Sequence, residues 1–412
     1  MATIASARPS ASWLVPMLAA AVLLTYIDRG AVGIAAPLMK EDLALSATQF
    51  GIAVSAFFWV YTPVMLLIGW LCDRFCTYRL FAAGVLLWAL STALTSLIGG
   101  LAMLVVLRMA LGLGESIVFP GSSKIIAAEV PAARRGMANA MIAAAIAFGP
   151  AVGTLAGGLI LDLHGWRAVF LFFGLATLLW LAPWHLVSRP FRGPRLAGEA
   201  ATVSVPRLLR VPALWISGVA HFCTNYSFYF LIAWLPLYLV KTRGMSILDM
   251  TELMTIIYIL QGVAALLFGW LSDRLVRGGA NEGRLRKGLM AASQAVAAVS
   301  IMGAATAGSN TELGWWLVPA GMATGVISTN LFAIAQMFAG PRVAGSWVGI
   351  QNSIGNVSGI IGPIITGVII DSTGFYFNAF AVAAAISLVG ALIWVVVMPR
   401  VRQLDFSEPA AA

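Results

Sequence analysis

Charged residues are scarce in this sequence. Only 10% of its 412 residues are Asp, Glu, Lys or Arg, whereas 60% are hydrophobic. A soluble globular domain carries roughly 25% charged residues, because water must solvate its surface. The composition therefore excludes an ordinary soluble domain and indicates a chain whose outer surface faces lipid.

Cysteine and histidine are also rare, with three of each in the chain. Cys72 and Cys76 fall in a predicted inner turn and Cys223 in a predicted span, which is the spacing of neither a metal site nor a disulfide framework. No nucleophile or metal-ligand cluster accompanies the few charges predicted inside the membrane. The sequence therefore predicts neither an enzyme nor a bound cofactor.

Long apolar runs are what the chain does contain. About 20 apolar residues are needed to cross a bilayer core of about 30 Å as a helix. We identify twelve such runs, at residues 13–37, 49–71, 80–98, 101–122, 136–161, 166–187, 213–238, 246–271, 285–307, 312–338, 346–370 and 375–398. The first is too long for a signal-peptide core and carries Asp28 and Arg29, so we expect it to remain as a span. The predicted fold class is an all-α membrane protein of twelve transmembrane helices.

The distribution of Lys and Arg predicts the orientation. With a cytoplasmic N-terminus, 19 of the 25 basic residues fall in inner segments and 4 in outer ones. This is the bias of the positive-inside rule, so both termini are predicted to be cytoplasmic. The formal net charge of +9 is then a consequence of topology, and no nucleic-acid partner is expected.

A short sequence occurs twice. "GWLCDR" (69–74) ends the second run and "GWLSDR" (269–274) ends the eighth, so each has the same place in its own group of six. A parallel repeat of six spans is typical of a transporter built from two bundles that rock against each other. The segment between is basic and interrupted by prolines. We therefore predict a first bundle at residues 1–188, a cytoplasmic linker at 189–210 and a second bundle at 211–412.

The repeated turn resembles the loop signature of the major facilitator superfamily, whose usual last glycine is replaced here by Cys76. The resemblance covers nearly the whole chain. It implies the fold named for that superfamily and a conformational latch on the cytoplasmic side. The residues of this latch would be Gly69, Asp73, Arg74, Asp273 and Arg274. The alternative is that these charges serve only to set the topology.

Four ionisable residues lie deep within predicted spans: Asp28 and Arg29 in the first, and Arg108 and Glu115 in the fourth. A charge at the bilayer centre costs about 2.5–3.5 kcal/mol, so each marks a candidate functional site. Arg108 and Glu115, seven residues apart, share one helix face. The four charges sum to zero, which allows mutual pairing. They could also serve only to lock the two helices together.

This group of charges suits the transport of an acid with protons. The fork of an arginine binds a carboxylate through two parallel hydrogen bonds. Burial favours the protonated form of a carboxylate, whereas a nearby arginine favours the ionised form. When a substrate anion occupies the arginine, the protein carboxylate holds its proton more firmly. Anion and proton would then bind cooperatively.

Three stretches carry a closer resemblance: "YIDRG" at 26–30, "RMALGLGESIVFP" at 108–120 and "FCTNYSFYFLIAWLPLYL" at 222–239. They are similar to the anion:cation symporter family, which includes bacterial galactonate and hexuronate transporters and sialin-like carriers of animals. The resemblance implies substrate-binding arginines and proton-carrying acids. These are Arg29 and Arg108 for the acid group, Asp28 and Glu115 for the proton, and Tyr61 and Asn352 as further substrate contacts.

The second half offers polar groups in place of charges. An amide left unpaired in lipid is costly, so buried amides are candidates for a central cavity. The expected substrate contacts from this half are Asn225, Tyr229, Gln261, Asn352 and Asn356.

The fifth run departs from the pattern expected for sugar-acid carriers. It consists largely of alanine and offers Asn139 near its inner end, so it favours a less hydroxylated substrate. Its Gly149–Pro150 pair also resembles drug exporters that exchange protons. We therefore expect a monomeric, multi-pass, proton-coupled importer of an organic anion in the inner (plasma) membrane, with a proton-driven exporter as the alternative.

Overall fold

The computed structural model describes residues 11–130, 132–191, 205–404 and 406, and the regular secondary structure of this part is helical, without a strand. Its α-helices are α1 (Ala11–Asp42), α2 (Ala47–Arg74), α3 (Thr77–Thr95), α4 (Leu101–Glu115), α5 (Val118–Glu129), α6 (Ala132–His164), α7 (Trp166–Ser188), α8 (Val205–Leu209), α9 (Pro212–Lys241), α10 (Ile247–Arg277), α11 (Glu282–Thr306), α12 (Asn310–Thr373) and α13 (Tyr376–Leu392). A 3₁₀ helix (Arg189–Phe191) follows α7, and a π-helix (Ile393–Val397) follows α13.

Eleven segments of the described chain are long and apolar enough to cross a membrane. Helices α4 and α5 together form one of them, Leu101–Ile126, and α12 contains two, on either side of a break at Gly340, where φ is 62°. The side chains of residues 66, 69, 70 and 73 of α2 lie outside the described part, and α2 is not among the eleven. The all-helical membrane class is confirmed, while twelve spans and cytoplasmic termini remain predictions.

The helices extend beyond the apolar runs that predicted them. Helix α1 continues to Asp42, five residues past the predicted end, because the backbone hydrogen bonds of a helix continue into polar sequence at the membrane surface. The predicted linker lies mostly at residues 192–204, outside the described residues. The division into two domains therefore remains a prediction, and below "first half" means α1–α7 and "second half" means α9–α13.

The sequence repeat has a structural counterpart at the helix starts. Ser46 caps α2 by accepting a hydrogen bond from the backbone N–H of Gln49, and Ser246 caps α10 by accepting one from the N–H of Asp249. Such serine caps satisfy N–H groups that the first helical turn leaves unpaired. The two helices thus begin 200 residues apart, the same offset that separates "GWLCDR" from "GWLSDR".

The two halves meet along α1 and α9, α2 and α12, and α6 and α10. At Gly33 of α1 the backbones are so close that a Cβ would lie 2.0 Å from the carbonyl oxygen of Ile232 in α9. Glycine is therefore required there. Small residues allow this kind of close approach between membrane helices.

Polar contacts also join the halves at the end of the molecule where α1, α9 and α12 end and α2 begins. We call this the outer end. The carboxylate of Asp371 accepts hydrogen bonds from the backbone N–H groups of Ala47 (2.9 Å) and Thr48 (2.7 Å). Lys241 forms an ion pair with Glu41 beside them. These contacts hold the two halves together at the outer end.

Candidate functional site

The centre of the site is an ion pair between α1 and α4. Nε of Arg29 donates to Oε2 of Glu115 over 3.1 Å, and the side chains are 11% and 0% exposed. The predicted charged residues therefore do meet, although the pair that forms is Arg29 with Glu115. The other carboxylate oxygen, Oε1, and the Arg29 nitrogen Nη2 are buried and have no hydrogen-bond partner among the described residues.

Arg108 is the second buried arginine of the site, at 6% exposure. Its Nε has no hydrogen-bond partner within the described chain. Its guanidinium carbon lies 5.2 Å from the ring centroid of Phe57, and that of Arg29 lies 5.4 Å from the same centroid. The ring of Phe57 is thus shared by two cations, with unused N–H donors on both.

Asp28 is not paired with either arginine by a hydrogen bond in the described structure. Its Oδ2 accepts one hydrogen bond from the indole Nε1 of Trp88 and one from Oγ1 of Thr92 (3.2 Å), both on α3. Its Oδ1 is buried and has no partner among the described residues. Sequence reasoning missed Trp88 and Thr92. The available signal was an indole N–H inside a predicted span, because a buried indole needs an acceptor.

Aromatic rings surround the Arg29 guanidinium. Its carbon lies 4.9 Å from the ring centroid of Tyr61 and 5.3 Å from that of Tyr26. Tyr61 stacks on Phe57 with a centroid distance of 4.9 Å. Cation–π contacts of this kind stabilise a desolvated guanidinium without using its hydrogen-bond donors. Of these donors, Nη2 has no partner among the described residues and remains available to an anion.

The second half closes the site through α9 and α12. The hydroxyl of Tyr229 donates to Oδ1 of Asn356 over 2.6 Å, and its ring lies 4.6 Å from Phe58 of α2. Tyr229 also interacts electrostatically with Arg29. The structure thus brings Tyr229, and Asn356 bonded to it, close to Arg29 of α1, while their role as substrate contacts remains a prediction.

The remaining predicted contacts are more dispersed. Nδ2 of Asn352, one turn before Asn356, lies 3.3 Å from the sulfur of Met65 and so bridges the halves. Gln261 lines a small cavity with Tyr258 and other second-half side chains. Asn225, half-buried, is one turn before Tyr229 on α9. Gln261 therefore belongs to a separate pocket in this conformation.

The predicted latch is only partly described. The surroundings of Gly69 and the side chain of Asp73 lie outside the described part of α2, and Arg74 is exposed. In the second copy, Asp273 accepts a hydrogen bond from Arg286 of α11 over 3.2 Å, while Arg274 lies over Trp270 of its own helix. The role of the two turns as a latch remains a prediction.

Arg286 is a further residue that sequence reasoning missed. It is 9% exposed and donates to Asp273, to Glu282 over 2.8 Å and to Asn330 over 3.2 Å. It thereby joins α10, α11 and α12 at the end opposite the outer end. Asp273 and Asn330 lie on other helices, so the positive-inside pattern gave no sign of these two contacts, whereas the four-residue spacing of Glu282 and Arg286 was a signal in the sequence.

Comparisons with known proteins agree on the class of the chain. It is 28% identical to "Probable sulfoacetate transporter SauU" of Cupriavidus necator, with 91% of each chain covered. It is 28% identical to "Probable galactarate/D-glucarate transporter GudP" of Escherichia coli, covering 97% of this chain and 95% of the relative. It is also 27% identical to the hexuronate transporter of Bacillus subtilis, with 90% of each chain covered.

A solved structure shows the same fold. A bacterial homologue of the human lysosomal transporter Spinster superposes with a TM-score of 0.76 over 95% of this chain and 96% of that chain, at 19% identity. The sequence profile of the Major Facilitator Superfamily matches residues 18–363 and 253–410. The chain belongs to the Major Facilitator Superfamily and is a multi-pass membrane transporter, not an enzyme.

Proposed function

We propose that this protein carries an organic anion with at least one carboxylate or similar acid group into the cell together with protons. The observation that carries the proposal is the pair of buried arginines, Arg29 and Arg108, which share one aromatic ring and keep guanidinium N–H groups without partners in the described chain. Buried donors are nearly always hydrogen-bonded. An acid group entering between the two arginines would satisfy both.

The relatives support an anionic substrate. Those named above carry names for sulfoacetate, galactarate or glucarate, and hexuronate, all of which are organic acids. Similarity over nine-tenths or more of the chain in each case includes the helices that bear the site. The bacterial relatives also support an inner-membrane location.

Glu115 is the group that would couple the proton to the anion. In this structure Glu115 neutralises Arg29, so an incoming acid must compete with it for the guanidinium. A proton on Glu115 removes that competition. The bound anion in turn offsets the positive charge of Arg29, so Glu115 holds its proton more firmly. Anion and proton therefore bind cooperatively.

Transport would proceed by alternating access between two six-helix bundles, with twelve spans and both termini in the cytoplasm. With this orientation, the Asp371 and Lys241 contacts close the extracytoplasmic side in this conformation. Opening of the outer end requires these contacts to separate.

The proposed substrate is sparsely hydroxylated. Helix α6 supplies mainly alanine and other apolar side chains along its middle turns, and Asn139 is exposed. Few α6 groups could satisfy the hydroxyls of a polyhydroxylated sugar acid, and unsatisfied hydroxyls weaken binding.

Purified protein in liposomes with a trapped pH dye tests the proposal. We expect acidification of the lumen after addition of one member of a panel that includes sulfoacetate, sugar acids, aromatic acids and short monocarboxylates. Release of protons from an acid-loaded lumen by a neutral or cationic compound, with no response to any acid, would replace the importer with an exporter.

A further inference from the structure

The two carboxylates of the site have different surroundings. Glu115 faces the cation Arg29 at 3.1 Å, whereas Asp28 accepts hydrogen bonds from the neutral donors Trp88 and Thr92. Both carboxylates are almost fully buried, at 1% and 2% exposure. Nearby charges and hydrogen bonds each bias the protonation of a buried carboxylate, so the two carboxylates respond to different partners.

The donors of α3 reach Asp28 because α3 and α4 are in close contact. A Cβ at Gly114 would lie 2.6 Å from the carbonyl oxygen of Gly84 and 2.7 Å from the backbone nitrogen of Trp88. Trp88 itself is 0% exposed. This close approach fixes the indole of Trp88 beside Asp28. The glycine at which it occurs, Gly114, directly precedes Glu115 on α4.

Other groups face Asp28 only at longer range. Glu115 and Arg108 of α4 interact with it electrostatically, and their effects oppose each other. Tyr229 of α9 interacts with Arg29 and not with Asp28. The described residues of α5, α6 and α7, which also pack against α1, contribute no charged group to it.

On this basis we infer that Trp88, assisted by Thr92, is a positioning residue that sets the pH at which Asp28 takes up a transported proton. The inference rests on the proposed function for the meaning of that proton. The indole and hydroxyl hold Oδ2 in place, and the proton adds to Oδ1, which has no hydrogen-bond partner among the described residues. Since an indole N–H can only donate, it stabilises the ionised carboxylate over the acid.

Infrared difference spectroscopy of the lipid-reconstituted protein, titrated with acid, measures this directly. The protonated carboxyl C=O band of Asp28 is assigned by its loss in Asp28→Asn. We expect its midpoint pH to rise by about one unit in Trp88→Phe, because a hydrogen bond to a charged group has been removed. Thr92→Val should shift it in the same direction by less, and Thr92→Ser should restore the wild-type value.

Matched controls separate positioning from packing. Trp184 is equally buried and donates to the carbonyl of Tyr78 over 3.3 Å, and Thr95 of α3 donates to the carbonyl of Ser91 over 2.8 Å. Trp184→Phe and Thr95→Val should leave the Asp28 band in place. The inference is overturned if Thr92→Val leaves the midpoint unchanged and Trp88→Phe either leaves it unchanged or fails to fold. It is also overturned if no band depends on Asp28.

The outcomes for the inference and for the proposed function are distinguishable. If no acid drives protons into liposomes but the Asp28 band still moves in Trp88→Phe, the proposed function fails and the positioning role stands. If acids drive proton uptake in the wild type while the band does not move in the variants, the function stands and the positioning role fails.

Discussion

Nε of Arg29 lies 3.1 Å from Oε2 of Glu115, joining α1 to α4 across 86 residues of sequence. The pair is buried, so its separation would leave two desolvated charges. A proton on Glu115 and an anion on Arg29 together avoid that penalty. Under the proposed function, the ion pair is therefore the place where an anion and a proton bind together, the anion on Arg29 and the proton on Glu115.

Glu115→Gln should uncouple the transporter. The amide resembles the protonated acid and cannot neutralise Arg29, so the anion can bind without a proton from this position. We expect a pH gradient no longer to raise the ratio of the substrate concentrations inside and outside the liposomes above its equilibrium value. Exchange of labelled for unlabelled substrate should continue. Persistent accumulation driven by the pH gradient would remove Glu115 from the coupling mechanism.

Arg108→Ala should abolish tight binding of the anion. Charge-assisted hydrogen bonds to a buried guanidinium contribute about 1.5–3 kcal/mol, so the affinity should fall about 10- to 100-fold. Arg108→Lys should lose much of this as well, because an ammonium lacks the planar fork. Calorimetric titration of purified protein measures both.

The matched control for that experiment is Arg167→Ala. Arg167 is 48% exposed and pairs with Asp42 at the outer end, away from the site. Its removal should change the affinity for the anion by less than about two-fold, since exposed ion pairs contribute little. Equal losses in the two variants would mean that Arg108 acts through stability alone.

Phe57→Leu should weaken binding without removing a charge. The ring lies within 5.4 Å of both guanidinium carbons and orders them relative to each other. Losing two cation–π contacts should lower the affinity about three- to ten-fold. Phe81→Leu, another fully buried ring of the first half, should reduce thermal stability and leave the affinity unchanged.

Asp371→Asn should favour opening of the outer end. The carboxylate caps the first turn of α2 with two hydrogen bonds, and a neutral amide is a weaker partner for the helix N-terminus. We expect the ratio of outward-open to inward-open molecules to rise roughly ten-fold. Distances between spin labels on α2 and α12 report the change.

Asp162→Asn is the comparison for this variant. Asp162 is an exposed acidic residue near the end of α6, in the first half. Its substitution should leave the label distances as in the wild type. An Asp371→Asn distribution identical to wild type would show that the remaining contacts at the outer end suffice to keep it closed.

Several features of the site could be predicted from sequence because they depend on local cost. A charge in an apolar span has a high free-energy cost, so each such residue marks a candidate site. This rule identified Asp28, Arg29, Arg108 and Glu115. Their net neutrality suggested mutual pairing, of which the structure shows the pair Arg29–Glu115. The sequence could not predict which residue pairs with which, because the choice of partner depends on how helices α1, α3 and α4 pack.

The sequence by itself determined the helical membrane class, the repeated turn and the helices that bear charge, because hydropathy and charge act along the chain. Only the tertiary structure decided that Glu115 pairs with Arg29, while Asp28 binds Trp88 on a third helix. It also decided that Asp371 caps α2, more than 300 residues away. Such contacts arise where close-packed helices bring distant side chains within hydrogen-bond distance, and no local pattern in the sequence encodes that proximity.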